Sequence, residues 1–320
     1  MSSSALALRP GTARAAGLVL GFAVDRWLAD PARWHPVAGF GRLAGALERR
    51  WWAPRRGRGT AYAAVLVGGT TLTGIGVERA TRDRPLATVV VTAVATWAVL
   101  GGASLDREGR AVAALLDAGD LEGARQRLTH LVGRDTRTLE PDEVARAVVE
   151  SLAENTSDAV VAPLVLGALA GVPGLLGYRA ANTLDAMVGY RSERYAEFGW
   201  ASARLDDVLN LPGARLTALL ATVLGPAPGA ALTAWRRDAA GHPSPNAGPV
   251  EAAFAGALGL GLGGTNRYGA RVEHRAVMGS GRAPSVADVE PTLALARAVG
   301  RGAVTVSALA ALLLGRRSRR

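Results

Sequence analysis

The chain has 320 residues, of which 49% are hydrophobic and only 20% charged, and 37 basic against 27 acidic residues leave a net charge of +10. Every basic residue is arginine and no cysteine is present. That excludes Schiff-base and Walker-lysine chemistry, thiolate nucleophiles, disulfides, thiolate zinc sites and iron–sulfur clusters. So much apolar content with so little charge also excludes a disordered chain.

The apolar residues are bunched into runs. The first, Ala15–Val24, follows Arg9 and Arg14 and passes straight into Asp25-Arg26. It lacks a small-residue cleavage site and reads as a retained segment, not a signal peptide. Thr60–Val77, Pro85–Leu105, Ala159–Tyr178 and Leu216–Trp235 are uncharged over about one bilayer thickness and predict four spanning helices. Ala252–Gly264 and Gly302–Gly315 are shorter and, with Ala15–Val24, read as tilted, re-entrant or buried core helices. The word Gly167-Ala-Leu-Ala-Gly171 has the small-residue spacing that lets backbones approach in lipid.

Asp106–Glu154 differs in character. Val112, Leu115, Leu116, Leu121, Ala124, Leu128, Leu131, Val144, Ala147, Val148 and Leu152 recur at helical spacing, interrupted at Gly119-Asp120 and Gly133-Arg134-Asp135. Three short amphipathic helices are expected, the last starting near Pro141. No strand-type alternation persists anywhere. The predicted fold is therefore all-α: a polytopic membrane helical bundle, residues 1–320 forming a single integral-membrane domain, with residues 106–154 as a small helical cytoplasmic insertion.

Arginines flank the runs at 49, 50, 55, 56 and 58 and again at 316, 317, 319 and 320, which the positive-inside rule places in the cytoplasm. Arg79, Arg82 and Arg84 oppose a simple hairpin of the first two long runs, so the topology stays open. Arginines at run edges, with only 5% aromatic residues, do not make a nucleic-acid surface.

Ionisable residues beside membrane segments are expensive and mark candidate sites. Asp25, Asp30 and His35 follow the first run. Glu150, Glu154 and Asp158 fall on one helix face, one turn apart, and repel one another unless a cation or ligand intervenes. Oxygen ligands of this kind suit magnesium. Asn182 and Asp185 share a face, and Arg191 and Arg194 offer forks for phosphate or carboxylate. Arg204 precedes Asp206-Asp207. His242, Ser244 and Asn246 sit in a rigid His-Pro-Ser-Pro-Asn loop, and Gly263-Gly264 opens a glycine-rich stretch able to approach phosphate. Each stretch also has a plainer reading as an interfacial cap, a solvated acidic face, a local ion pair or a connecting turn.

The same stretches resemble, closely, the cobalamin-biosynthesis membrane proteins known as adenosylcobinamide-phosphate synthases, or cobyric-acid aminopropanol ligases. The matching words are Asp25-Arg…Asp30-Pro…His35-Pro-Val, Glu154-Asn-Thr-Ser-Asp158…Ala162-Pro163 and Asn182-Thr-Leu-Asp185-Ala-Met-Val-Gly-Tyr190. They continue with Glu193-Arg-Tyr195…Phe198-Gly-Trp-Ala-Ser-Ala-Arg204-Leu-Asp206-Asp207, His242-Pro-Ser-Pro-Asn246-Ala-Gly248 and Leu262-Gly-Gly-Thr-Asn266-Arg-Tyr268. Pro249 stands where the family has an aromatic residue, and the match over 271–290 is loose.

The resemblance implies a multi-pass enzyme of the cytoplasmic membrane, embedded in lipid. It would join adenosylcobyric acid to (R)-1-amino-2-propanol O-phosphate, or to aminopropanol or threonine phosphate, with ATP and magnesium. Other enzymes of the late corrin pathway are the implied partners. In this reading Glu154, Asp158, Asp185 and Asp206 hold magnesium, and His35, Asp158, Asp185 and His242 carry the chemistry. Asn155, Asn182, Tyr190, Arg191, Arg194, Arg204, Ser244, Asn246 and Asn266 contact substrate. The competing class is a membrane transporter or signalling modulator on a related scaffold.

Overall fold

The computed structural model describes residues 9–28, 35–133, 135–190, 192–268 and 271–317, with the side chains of 266–274 and 317 left out. In chain order the helices are α1 (Pro10–Leu28), α2 (Pro36–Trp51), α3 (Arg56–Thr81), α4 (Pro85–Val99), α5 (Gly102–Asp117), α6 (Leu121–Leu128) and α7 (Pro141–Thr156). A π-helical turn, Ser157–Val161, leads into α8 (Ala162–Val188), followed by α9 (Trp200–Leu224), α10 (Pro228–Asp238), α11 (Ala247–Leu258) and α12 (Val289–Arg317). Strands β1 (Leu262–Tyr268) and β2 (Arg271–Met278) form an antiparallel hairpin. Proline opens α2, α4, α7 and α10, where its missing N–H is no loss.

Among the described residues five helical segments are long and apolar enough to cross a bilayer: Arg56–Thr81, Pro85–Asp117, Pro141–Val188, Trp200–Leu224 and Val286–Arg316. Leu86, Val90 and Val94 recur one turn apart on α4 and are exposed, as are Leu72 on α3, Leu219 and Val223 on α9, and Leu309 and Leu313 on α12. Such apolar stripes face lipid in a membrane bundle. The chain is a multi-pass helical membrane protein.

Three expectations are corrected. The uncharged run Leu216–Trp235 is not one helix: α9 stops at Leu224 and α10 starts at Pro228, because Gly225-Pro226 and Pro228 interrupt it. Gly302–Gly315, expected to be too short, is the end of the longer α12. Ala252–Gly264 comprises the end of α11 (buried up to Ala257), a left-handed glycine at Gly259 (φ 68°), and the start of β1. The hairpin itself was not foreseen, since glycines at its base and arginines along it leave no hydrophobic alternation.

The chain divides into two compact units, one made of 1–101, 162–209 and 304–320, the other of 102–161 and 210–303. In the first, α1 packs on α4 through Gly17 and Gly21. A Cβ on Gly17 would lie 2.5 Å from Thr92 Cβ, and one on Gly21 2.4 Å from Thr96 Cβ. This is the small-residue contact that lipid-embedded helices use, on a different word from the one singled out in the sequence. Tyr62, Leu184, Val188 and Phe198 form a second contact region with Ala44. In the other unit, α5, α6 and α7 bury Val112, Leu128, Val144, Val148 and Leu152 together with Leu293, as their spacing predicted.

The expected small-residue word ends at a break. Gly171 has φ 69° and ψ −148°, conformations open to glycine, and interrupts α8 just before Pro173. The carboxylate of Glu78 accepts the Val172 N–H at 3.1 Å, while Arg14 donates to Glu78 at 2.6 Å and to the Ala168 carbonyl at 3.3 Å. One ion pair thus closes both sides of the interruption. Replacing Glu78 with Ala strips the acceptor and the arginine's partner together and should cost about 1–3 kcal/mol. Glu78→Gln keeps an acceptor and should cost less; equal thermal stability of the two variants in detergent would refute this account.

Candidate functional site

The carboxylate face of α7 is only partly available for chemistry. Glu150, buried, accepts the Gly263 N–H at 2.8 Å. One turn earlier Arg146 donates to the Gly263 carbonyl and, at 3.1 Å, to the Thr265 carbonyl. Gly263 and Gly264 both take positive φ, 97° and 87°, which turns these backbone groups toward α7. The glycine-rich stretch expected to meet phosphate therefore already spends the Gly263 amide on a protein carboxylate. Just past β2, at the same open end of the hairpin, the Gly279 N–H donates to Asp238 at 2.8 Å. The Arg237 guanidinium paired with Asp238 holds that carboxyl below its usual range against the opposing effect of burial, and the Gly279 amide adds to the lowering.

Glu154, Asn155 and Asp158 are half-buried where α7 passes into the π-helical turn. Turns of this kind recur at functional sites because the extra residue re-aims side chains. Asp158 accepts from Asn210 Nδ2 at 2.6 Å, and Ser157 Oγ bonds Asn210 Oδ1 at 3.2 Å. Asn210 was not picked out in the sequence; an amide inside the apolar α9 was the available signal. Asn155 donates to the Ser151 carbonyl at 2.9 Å.

The His-Pro-Ser-Pro-Asn loop bonds largely to itself. His242 Nδ1 accepts the Ser244 N–H at 3.0 Å, and its ring is only 4% exposed. Its Nε2 lies 3.7 Å from Glu251, a carboxylate 2% exposed on the otherwise apolar α11. Ser244 Oγ accepts the Asn246 and Ala247 amides, both at 3.2 Å, and so caps α11. Arg215 donates to the Pro245 carbonyl at 2.7 Å and to Asn246 Oδ1 at 3.3 Å. The histidine, serine and asparagine named as site residues here shape the loop. Glu251 is a buried acid that the sequence reading passed over, although a lone glutamate among alanines and valines was its signal.

In the other unit, α8 and α9 hold a polar chain. Arg179 Nη1 donates to Asn182 Oδ1 at 3.4 Å, and Asn182 Nδ2 donates to the buried Asp206 at 3.2 Å. Asp185 folds back over Gly189, where a Cβ would fall 1.9 Å from its Oδ1. His35 is half-buried at the start of α2. Arg194, expected on substrate, donates to Glu48 at 3.0 Å and lies over the Trp52 ring at 4.6 Å. Hydrogen bonds to Glu48 and Tyr195 raise its guanidinium above the usual value. Arg204 makes an exposed pair with Asp207 at 3.3 Å. Tyr190 is exposed; Arg191 lies outside the described residues, as does the side chain of Asn266.

Among the described residues no three His, Asp or Glu side chains are gathered as a metal site. Glu154 and Asp158 belong to one unit and Asp185 and Asp206 to the other. Either pair suits the commoner arrangement, in which one or two carboxylates meet magnesium that arrives on phosphate.

The family model described as CobD/Cbib protein matches residues 18–296. The chain belongs to this family. It is 50% identical to the cobalamin biosynthesis protein CobD of Mycobacterium tuberculosis over 309 residues, covering 95% of this chain and 97% of the relative. The CobD proteins of Chromobacterium violaceum and Rhodobacter capsulatus are 43% and 44% identical, over 93% and 87% of this chain and 97% and 90% of those relatives. No solved structure matches. The matched residues take in the α7 clamp, the Asp158–Asn210 and Asn182–Asp206 pairs and the His242 loop.

The lowered Asp238 carboxyl has a consequence for stability. A depressed acid contributes fully above the unfolded carboxyl range, near pH 4, and its contribution is lost as pH falls through the lower folded value. The melting temperature of the natural protein should therefore exceed that of Asp238→Asn at neutral pH, with the gap narrowing below about pH 4. A gap independent of pH would refute the anchoring role.

Proposed function

We propose that this chain acts in cobalamin biosynthesis as an amide-forming ligase of the cytoplasmic membrane. It joins the free propionate of adenosylcobyric acid to an amino-alcohol phosphate, giving adenosylcobinamide phosphate. Family membership supports the pathway. The observation that carries the reaction reading is the state of the acidic and amide side chains. Asp158 with Asn210, and Asp206 with Asn182, stand as buried or half-buried ordered pairs instead of solvated ion pairs.

A carboxylate is a poor acylating agent, so the propionate must be activated, and ATP can supply the acyl phosphate. Magnesium arriving with the nucleotide would neutralise phosphate oxygens, held by Glu154 and Asp158 or by Asp185 and Asp206. Attack by the amine on the activated carbonyl forms the C–N bond, expels phosphate and releases a proton. His35 or His242 would accept that proton, and Nδ1 of His242 also accepts the Ser244 amide. Fixed positive charge must come from arginine, as the chain has no lysine. Other late corrin-pathway enzymes are the proposed partners.

The broken helix at Gly171 favours one second reading, a transporter, since interrupted helices also line substrate paths. Detergent-purified protein given adenosylcobyric acid, aminopropanol phosphate and Mg-ATP should form adenosylcobinamide phosphate. Asp158→Asn, present at natural levels in membranes, should lower turnover at least about a hundredfold. Uptake into vesicles without new product would replace the ligase with the transporter.

A further inference from the structure

One surface of the first unit gathers arginines that have no carboxylate to meet. On α2, Phe40, Ala44, Leu47 and Trp51 recur at helical spacing and pack with Tyr62, Leu184 and Phe198. Arg42 and Arg49, two turns apart, lie on the opposite face with Arg50 beside them, and all three are exposed. Arg55 and Arg58 follow at the head of α3 and are exposed as well. Among the described residues none of these five guanidinium groups has an ion-pair or hydrogen-bond partner. Their neighbours Arg56 and Arg194 do, with Glu197 and Glu48, both at 3.0 Å.

The apolar residues on the same faces set this charge against lipid. Arg58, Val65 and Leu72 follow one another at intervals of two turns along α3, and Val65 and Leu72 are 52% and 67% exposed. Those two side chains belong to the stripe that α3 turns to lipid. Arg58 heads the same stripe, about 10 Å along the axis from Val65. No charge occurs from Gly59 to Val77, so the hydrocarbon layer begins just past Arg58. On α2, Leu43 lies two turns before Arg50 on one face and is 60% exposed. A bare leucine interleaved with guanidinium groups suits the headgroup layer, which offers a partner to each.

We propose that these arginines form a binding site for anionic phospholipid, whose phosphates lie along α2 and at the entrance of α3. Guanidinium forks match phosphate oxygens in pairs, and a basic cluster beside a spanning helix is drawn to an anionic bilayer surface. Five like charges on adjoining turns repel one another, and lipid phosphates relieve that repulsion. The occupant is a lipid and not a soluble anion because Arg58 shares its face with lipid-exposed side chains. The surface uses none of the groups assigned to the ligation reaction.

Native mass spectrometry of the detergent-purified full chain, titrated with phosphatidylglycerol or phosphatidylcholine, reads the site without requiring turnover. Phosphatidylglycerol should bind at least about tenfold more tightly than phosphatidylcholine and should raise the melting temperature. The double variant Arg50→Gln/Arg58→Gln should lose most of that preference while melting like the natural protein in the absence of lipid. Arg50→Lys/Arg58→Lys, which keeps the charge, should retain most of it. Arg79→Gln/Arg84→Gln removes the same charge at the other end of α3, from exposed positions, and should leave the preference unchanged. Equal affinity of the natural protein for the two lipids would overturn the proposal. So would an undiminished preference in Arg50→Gln/Arg58→Gln, or an equal loss in Arg79→Gln/Arg84→Gln. Equal protection against melting by inorganic phosphate would make this a soluble-anion surface and overturn the lipid assignment.

Discussion

A backbone N–H or C=O that leaves its helix ladder inside a bilayer or a packed core has no water to turn to, and it must find a partner within the protein. At the break in α8 and at the base of the hairpin this chain supplies charged side chains as those partners. Glu78 takes the Val172 amide beside Gly171, Glu150 takes the Gly263 amide, and Asp238 takes the Gly279 amide. Arginine does the reciprocal work on carbonyls, with Arg14 at Ala168, Arg146 at Gly263 and Thr265, and Arg215 at Pro245. Six charged side chains in an otherwise apolar chain are absorbed in this way.

That division of labour separates two kinds of carboxylate. Those bound to backbone amides are committed to shape. Asp158 and Asp206 instead meet side-chain amides, from Asn210 and Asn182, and such partners can rotate or yield when a ligand arrives. Among the arginines, Arg194 pairs with Glu48 and lies over Trp52, while Arg179 donates to Asn182. In the proposed ligase, ordered amide–acid and amide–guanidinium contacts of this kind would preorganise charge before substrate binds, which is where an enzyme gains from electrostatics.

The loop at His242 shows how a conspicuous motif can serve architecture. Prolines fix its backbone, His242 and Ser244 receive its amides, and Arg215 closes it from α9. Buried beneath it, Glu251 is the only acid on α11 and lies within reach of the histidine ring. The motif stands out in sequence because its backbone is so constrained, and the constraint itself is structural.

The sequence by itself determined the class of the molecule. Long uncharged runs force helices because lipid leaves the backbone no other partner, and the spacing of Val112, Leu128, Val148 and Leu152 fixed the amphipathic insertion. It also put Asp158, Asn182, Asp185 and Asp206 in helical segments, where residues three or four apart share a face whatever the fold. Only the tertiary structure decided what each charge meets. A local pattern cannot show that Gly263 will return to Glu150, 113 positions away, or that Asn210 will reach Asp158. Periodicity likewise gave no hint of the β1–β2 hairpin, whose ends are pinned by side chains remote in sequence. Those partners come from packing, and packing is set by the whole chain.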